Sequence, residues 1–564
     1  MYPSSGLFRL PGVDDRRAPT ATSVLSLNPK WVPSTFNMAI WNTQSARYFD
    51  YWRWFGGDML RETRTGSTKD SVLLKYPLEI NPIRDFSRKH AAILLGEESF
   101  DSSEPLVRTR ITPRPDLLNP EMDMDGKDTS LQMKDRRLAQ IAQDAVNMVW
   151  SDSKGRSLQQ ENATMSQYLG GSIFEVKWNP VLKDRPIPIE IKNVIPDFFL
   201  PVYQADDYWN LIEAFVVYRI SGAVARELYG VETINDTGFI IYCEHWTRHE
   251  YSVWVDGKSI TSKANKDGTF SEPKNPFGFV PFVYIPHLRE GNFYGSSIVE
   301  DLRGLTREFN ARMADTGDAV RNSVHRRRYG TDLRTNPVPK QIDPNTFITY
   351  LGVTDPNSKA SPKVWAEEAP VLPDTMANWP DKVWLQMMRA GSVSAMSYGE
   401  DEGSQRSALT LAFRMWPSTA HARAERVFWT DGLNQVAKYI LKIMAVKRDF
   451  IKHIVAIPDD FSERLQFSQD YLPMIPRDRE QMVNEVVIRF QSGLLTPERA
   501  LLMLGDTPYV MEEVKKLEEW MRLKVQIENS VGTEVKTTGG TKNGKSQGAQ
   551  TQITMPIATD GTKE

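Results

Sequence analysis

Gly539-Gly540-Thr541-Lys542-Asn543-Gly544-Lys545-Ser546 fits the phosphate-loop pattern G-x-x-x-x-G-K-S letter for letter. That chemistry requires a strand before the loop and a helix after it, so that backbone N–H groups and a helix N-terminus converge on phosphate. Neither flank can supply this. From Asn529 to Glu564 the chain is rich in Gly, Thr, Lys and Gln and has no aromatic residue, so the match is read as a product of composition. Glu121, Asp123, Asp125, Gly126 and Asp128 follow part of a calcium loop, but Glu at the first ligand position and Gln132 at the twelfth break the pattern. A solvated acidic loop is the simpler reading. Seven histidines and one cysteine show no zinc spacing, and neither a dinucleotide G-x-G-x-x-G nor a nucleophile elbow occurs. Carboxylates are plentiful, but spacing alone pairs none as acid and base. Cys243 lies in the strand-like run Ile240 to Trp246 and reads as a small packed residue. The expectation is a protein that is not an enzyme, with no cofactor and no metal.

The dense basic cluster in the middle of the chain is His325, Arg326, Arg327 and Arg328. It can contact phosphate, or it can cap a helix C-terminus and pair with carboxylates of a neighbouring subunit; the structural role is favoured. Charge balance points the same way. Over 564 residues, 69 Lys+Arg against 72 Asp+Glu give a net charge of -3, which argues against a broad basic surface gripping nucleic acid. Any contact with DNA must be local or loose. Met1 to Thr20 carries charges and prolines where a signal peptide needs an apolar core, and no apolar stretch is long enough to span a bilayer. A single cysteine cannot form an intrachain disulfide, which fits synthesis in the cytoplasm.

These residues must be positioned by several modules, since the chain is too long for one core, and the pattern is α+β. The first thirty residues carry no period and read as an arm. Ala46 to Leu60 and Pro82 to Leu95 look helical; the first packs Tyr48, Phe49, Tyr51, Trp52, Trp54 and Phe55, which could stack bases but better fit core or subunit packing. Leu131 to Trp150 shows helical spacing, and Gly170-Gly171 ends a second helix before the strand Ser172 to Trp178. A β-rich region follows: Ile187 to Ile195, Ala214 to Ile220, Phe239 to Trp246 and Tyr251 to Val255, with turns at Asp256-Gly257 and Asp267-Gly268. The apolar run Phe279 to Ile285 closes it.

A long helix from about Ser296 to Val324 comes next, with Ile298, Leu302, Leu305, Phe309, Met313, Val320 and Val324 on one stripe over roughly 44 Å of rise. Its other faces carry Glu300, Asp301, Arg303, Arg307, Glu308, Arg312, Asp315, Asp318 and Arg321, a mixed-sign pattern suited to contacts between copies of the same helix. Tyr329 to Pro373 is a proline-punctuated excursion with strand candidates at Phe347 to Leu351 and Lys363 to Trp365. The chain returns through a helix at Asp374 to Ala390, breaks at Gly391 to Gly403 in a loop with little to pack, and enters a third helix, Ser404 to Val446, which Pro417 should kink. Ile451 to Phe467 reads as strand, turn at Pro458-Asp459-Asp460, and strand. Arg477 to Phe490, Thr496 to Leu504 and Val510 to Ile527 read as a helical module, and the remainder as a tail without a packed core.

Asn275-Pro276-Phe277-Gly278-Phe279-Val280-Pro281-Phe282, then Gly295-Ser296-Ser297 and Leu302-Arg303-Gly304-Leu305-Thr306-Arg307-Glu308-Phe309-Asn310, resemble the portal proteins of tailed bacteriophages. Ser407-Ala408-Leu409 and Gly493-Leu494-Leu495-Thr496-Pro497-Glu498-Arg499-Ala500, before Leu504-Gly505-Asp506, resemble the closing segments of the same family, so the likeness runs from about Pro82 to Ile527. The resemblance implies an α/β wing (31–295, with 404–475), a stem helix (296–326), a small α/β clip (327–373), a return stem helix (374–390), a tunnel loop (391–403) and a helical crown (476–527). It leaves an N-terminal arm (1–30) and a disordered tail (528–564). It further implies a homo-oligomeric ring, typically a dodecamer, at one capsid vertex of the virion and assembled in the host cytoplasm. Double-stranded DNA passes through its channel during packaging and ejection. Terminase, tail adaptor, capsid and scaffolding proteins are the implied partners, with no membrane. Ser394, Met396, Tyr398, Gln405 and Arg406 become candidate tunnel-loop residues, and His325, Arg326, Arg327 and Arg328 a collar at the stem-to-clip junction. The alternatives are a capsid or tail-adaptor structural protein, or an ATP-hydrolysing packaging motor.

Overall fold

The computed structural model describes residues 35–57, 80–96, 105–114, 130–182, 184–204, 207–231, 239–255, 258–261, 263–264, 270–271, 273–291, 293–324, 328–331, 363–366, 378–398, 413–448, 451, 457–474, 479–504 and 510–534. It is a mixed helix and sheet chain, α+β as the pattern implied, and it divides into two units, Met1–Pro476 and Arg477–Glu564. The arm, the acidic loop at 121–128 and the phosphate-loop match lie outside the described residues, as do the two Asp-Gly turns and the strand candidate Phe347 to Leu351.

In the first unit, helix α1 (Thr35–Gly56) begins earlier than the aromatic run indicated, because its apolar residues before Ala46 do not form one stripe. Tyr48, Tyr51 and Trp54 are buried, and Phe55 stacks on Tyr168 at 3.9 Å, so this aromatic stretch is core. Helix α2 (Pro82–Leu95) starts where the sequence placed it. Asn81 accepts from the Arg84 N–H and Pro82 occupies the first turn, where a missing donor costs nothing. Helices α3 (Ser130–Asp152) and α4 (Gly155–Leu169) follow, and α4 stops at Gly170 with φ +77, the left-handed geometry that glycine adopts without strain.

Strand β1 (Arg108–Pro113) has no alternating pattern to reveal it. One edge pairs with the last strand of this unit, and the other is bonded by side-chain amides of the helices instead of a strand. Gln143 accepts from Ile111 N–H at 3.0 Å, while Gln159 both accepts from Val107 N–H at 2.9 Å and donates to its carbonyl at 3.0 Å. Amide side chains can do this because each carries a donor and an acceptor at peptide spacing.

Strand β2 (Gly171–Trp178) is the middle of a three-stranded antiparallel sheet with β3 (Ile189–Val194) on one side and a later strand on the other. It is buried on both faces: Phe174 and Val176 join one core with Trp150 and Trp429, Ile173 a second with Tyr168, Phe199 and Ile298. Side chains alternate across a strand, so one β2 serves two cores. Strands β4 (Phe199–Gln204), β5 (Asp207–Ser221), β6 (Phe239–Thr247), β7 (Tyr251–Val255) and β8 (Lys258–Ser259) form a five-stranded antiparallel sheet in chain order, with helix α5 (Gly222–Tyr229) after β5. Cys243 is buried in β6, and burial pushes its thiol well above the ordinary range, which suits the packed residue expected.

A buried ion cluster joins the two sheets. Lys177 Nζ lies 2.6 Å from Glu244 Oε1 and 3.5 Å from Glu175 Oε1, and Glu244 also accepts from Trp246 and Tyr242. Burial raises the Glu175 carboxyl above the ordinary range, with Glu244 beside it adding to the rise. Burial works on Glu244 in the same direction, but Lys177 and three donated hydrogen bonds outweigh it and hold that carboxyl low.

After the two-residue strands β9 (Lys263–Ala264) and β10 (Phe270–Ser271), β11 (Phe282–Pro286) completes the three-stranded sheet. Helix α6 (Ile298–Val324) is the long helix. The excursion contains β12 (Arg328–Thr331) paired with β13 (Lys363–Ala366), and the chain returns as α7 (Trp379–Ala390). Helix α8 (Trp416–Val446) differs from expectation: the helical path is interrupted at Met415, and Pro417 opens a new helix in its first turn instead of kinking a continuous one. Of Ile451 to Phe467, the first strand lies largely outside the described residues. The turn stands at Asp459-Asp460, and a short helix α9 (Phe461–Arg464) intervenes before β14 (Leu465–Asp470), the partner of β1. Arg464 pairs with Asp135 of α3, which anchors that helical turn.

The second unit holds helices α10 (Arg479–Gln491), α11 (Pro497–Leu504) and α12 (Val510–Glu534). Gly493 at φ +71 ends the first, and Thr496 caps the second by accepting from Arg499 N–H. Helix α12 continues seven residues past Ile527, into the stretch read as tail.

Candidate functional site

The first candidate region is the pair α6 and α7. Ile298, Val299, Leu302 and Phe309 are buried, Leu305 and Met313 partly so, whereas Val320 is 58% exposed. The apolar stripe therefore outruns the core that covers its first turns. Helix α7 packs on α6 through Trp384, whose ring lies 5.5 Å from that of Phe309, and through Trp379, which donates to Glu308 at 3.4 Å.

The charged faces of α6 divide in a way the sequence did not indicate. Near its start they pair with α1 of the same chain: Tyr51 donates to Glu300, Arg303 lies 3.4 Å from Asp50, and Arg307 sits over the Trp54 ring at 5.6 Å. Glu300, Asp301, Arg303 and Arg307 nonetheless remain exposed, so pairing with α1 leaves them at the surface. Farther along, Arg312 bonds Glu308 at 2.7 Å and Asp315 at 3.0 Å, an exposed i,i+4 and i,i+3 group of mixed sign.

The break after α7 also departs from expectation, since its first part is well packed. Gly391 fits against Phe86, where an added Cβ would lie 2.6 Å from the ring. Ser394 is buried; its N–H bonds Ser418 Oγ at 2.9 Å and its hydroxyl donates to the Arg414 carbonyl at 2.8 Å. Met396 donates its N–H to Ser394 Oγ, and Tyr398 donates to Asp85 at 2.6 Å with Lys89 over its ring at 3.9 Å. Small Ser and Gly residues offered no apolar signal, yet they suit a tight hydrogen-bonded turn on α2. Gln405 and Arg406 lie outside the described residues, as do His325, Arg326 and Arg327; Arg328 is described by its backbone pairing with Ala366.

Of the segments that carried the family resemblance, Ser407-Ala408-Leu409 and Gly505-Asp506 lie outside the described residues, while those at 275–282, 295–297 and 302–310 are joints of the fold. Asn275 donates to the carbonyls of Thr247 and Phe279, each at 2.8 Å, and accepts from Phe277 N–H, which fixes the turn into β11. Gly295 crosses Gly170 so closely that a Cβ on it would lie 2.2 Å from the Gly170 carbonyl oxygen. Ser297 donates to the Tyr168 carbonyl at 2.7 Å, and Asn310 bonds both the N–H and the carbonyl of Ile80.

A second region escaped the sequence altogether. Three histidines from distant segments meet at one place: His90 on α2, His287 just after β11, and His421 on α8. His287 Nδ1 bonds the Ser296 carbonyl at 2.9 Å, so its proton is on Nδ1 and Nε2 presents a lone pair; His421 Nε2 lies 3.0 Å from that atom. His90 donates from Nε2 to the Gly391 carbonyl at 2.6 Å. Burial, with the neighbouring His421, holds His90 and His287 down to about 3, and burial lowers His421 also. Glu425, one turn along α8 from His421, is fully buried and accepts from Gln167 at 2.7 Å and Ser166 at 3.1 Å; burial raises its carboxyl to about 8. Linear spacing could not show this cluster, because its members come from a helix, a loop and another helix hundreds of residues apart.

The sequence matches no family model, and no curated protein matches it. No helix among the described residues is long and apolar enough to cross a membrane.

Proposed function

We propose that the chain is one subunit of a closed ring that conducts double-stranded DNA, of the kind formed by portal proteins at one vertex of a tailed-phage capsid. The observation that carries this reading is the long helix α6, packed on its return helix α7 on the far side of a small two-stranded excursion, with an apolar stripe and a mixed-charge group that continue beyond the core. In this reading α6 and α7 are the stem, β12 and β13 belong to the clip that receives terminase and later the tail adaptor, and the sheets with α8 form the wing. The second unit is the crown. Its exposed Ile488, Leu494, Trp520, Leu523 and Val525 are apolar surface that contacts with other subunits would cover.

A net charge of -3 suits a conduit, since each fixed phosphate contact adds salt-sensitive affinity that would hold a sliding duplex. The proposed role has no catalytic step, the packaging energy coming from a separate ATPase. Negative-stain images and native mass measurement of the purified chain test it. Rings with an axial hole, twelve-fold or close to it, are the expected result; monomers or flat shells would overturn the reading. ATP hydrolysis abolished by Lys545→Ala would instead favour a motor.

A further inference from the structure

We propose that His287, His421 and Glu425 form a binding site for a divalent transition metal ion, zinc being the ion whose ligand chemistry they fit best. One ligand atom from each of the three lies within 4.8 Å of the others. His421 and Glu425 are four residues apart on α8 and so share a face of that helix. His287 is supplied by the chain between β11 and α6.

Two features distinguish this cluster from an ordinary set of buried polar groups. The ligand atoms are prepared by their outer contacts. The Ser296 carbonyl fixes the His287 tautomer and leaves Nε2 for coordination, and Ser166 and Gln167 hold Glu425 Oε1, the arrangement that orients ligands in metal sites. The cluster also carries unspent bonding capacity. Glu425 is 0% exposed, and its Oε2 makes no well-formed hydrogen bond, the donor beside it being the Trp429 indole N–H, which likewise has no other partner. His90, 1% exposed with its ring 4.5 Å from that of His421, has an Nδ1 without a partner. Buried polar atoms left without partners are costly, so orphans at one spot point to a missing partner.

The distances suit a small ion. Two imidazole nitrogens on tetrahedral zinc, each about 2.0–2.1 Å from the metal, stand roughly 3.3 Å apart, against the 3.0 Å between His287 Nε2 and His421 Nε2. Glu425 must move toward the pair, which its unbonded oxygen permits. Two neutral imidazoles and one carboxylate favour zinc over calcium or magnesium, which prefer oxygen. Three protein ligands leave a fourth position to water, for which His90 Nδ1 is an unused acceptor. No thiolate takes part: Cys243 is buried in a separate core with Phe215 and Trp254. The ion would tie α8 to the β11–α6 junction, and through Ser166, Gln167 and His90 to α4 and α2. Its role is therefore a staple at the root of the long helix, independent of whether the chain forms a ring.

The test uses the full chain, stripped with a chelator, dialysed and titrated with Zn2+ and with Co2+. The expected result is one equivalent of zinc per chain and the intense visible absorption of tetrahedral Co2+. X-ray absorption of the zinc form should give a first shell of nitrogen and oxygen at about 2.0–2.1 Å with two imidazoles. Glu425→Gln, which keeps the side-chain shape, should weaken zinc binding at least tenfold, and His421→Ala should abolish the stoichiometric site. His249→Ala, at an exposed histidine away from the cluster, should leave it unchanged. The proposal is overturned if the wild-type chain holds no stoichiometric zinc, if absorption shows an all-oxygen or sulfur shell, or if Glu425→Gln and His421→Ala bind as the wild type does. The absorption measurement needs no variant, so it decides the matter even if His421→Ala fails to fold.

Discussion

Replacing Gly295 by alanine tests how tightly the root of the long helix is built. The added Cβ would stand 2.2 Å from the Gly170 carbonyl oxygen, 2.9 Å from the His287 nitrogen and 3.0 Å from the Leu288 oxygen, all backbone atoms, where ordinary contact begins at 3.4 Å. The crossing must open by more than 1 Å, and no side-chain rotation can relieve it. Opening strains the bonds from His287 N–H to the Gly170 carbonyl at 3.0 Å and from Ser296 N–H to the Leu288 carbonyl at 2.8 Å. Two backbone bonds at about 1 kcal/mol each and overpacking of about 1–3 kcal/mol give a loss of about 3–5 kcal/mol. Gly304 is the control, because a Cβ there meets nothing within 4 Å and alanine in a helix interior should gain up to about 1 kcal/mol. Urea unfolding of both variants, followed by tryptophan fluorescence, measures the difference. A Gly295→Ala cost below about 1 kcal/mol would refute the close crossing.

Tyr398→Phe removes the hydroxyl that bonds Asp85 and should cost about 1–2 kcal/mol, with faster amide exchange across residues 391–398 as the local readout. Unchanged exchange would mean that the loop does not depend on α2. Lys177→Met leaves Glu175 and Glu244 buried together without their cation and should cost about 3 kcal/mol at neutral pH, part of it recovered at pH 5 in urea titrations as the carboxyls protonate. Asp197 is buried with one Ser45 hydroxyl 3.2 Å away, and burial raises its carboxyl to about 7. The folded chain then binds a proton that the unfolded chain, titrating near 3.9, releases. Its contribution to stability falls as pH rises from about 4 to about 7, by on the order of 2 kcal/mol and at most about 4. Asp197→Asn should flatten the stability profile over that window; an unaltered profile would show that Asp197 ionises freely in the folded chain.

What the sequence revealed followed from periodicity and punctuation. Helix α2 has both bounds where Pro82 and Gly96 set them, and Gly170 marks the passage from α4 to β2 because its left-handed geometry excludes most other residues there. Strand β1 was not legible, since its partner is remote and its second edge is satisfied by glutamine and asparagine side chains. The break after α7 was misjudged because hydrogen-bonded packing of Ser394 and Ser418 leaves no hydrophobic signature. Charge on α6 was read as one continuous face, but which part pairs with α1 depends on tertiary docking, not on helical spacing. The histidine cluster was invisible for the same reason: zinc spacing is a local signal, and these ligands are brought together by the packing of α2, β11 and α8.

The amide ladder on β1 bears on how the chain is made. Thr109 must find Gln469, 360 positions later, and at about 5–20 residues per second the ribosome needs roughly 20–70 s to deliver that partner. Throughout this interval one edge of β1 is an open template for foreign strands. The glutamines and asparagine of α3 and α4 emerge within the next fifty residues and can hold the other edge meanwhile, docking β1 on its helices long before β14 exists. Nascent chains halted before Leu465 should therefore protect 105–114 from protease yet bind strand-seeking dyes, a vulnerability that ends when β14 closes the pair.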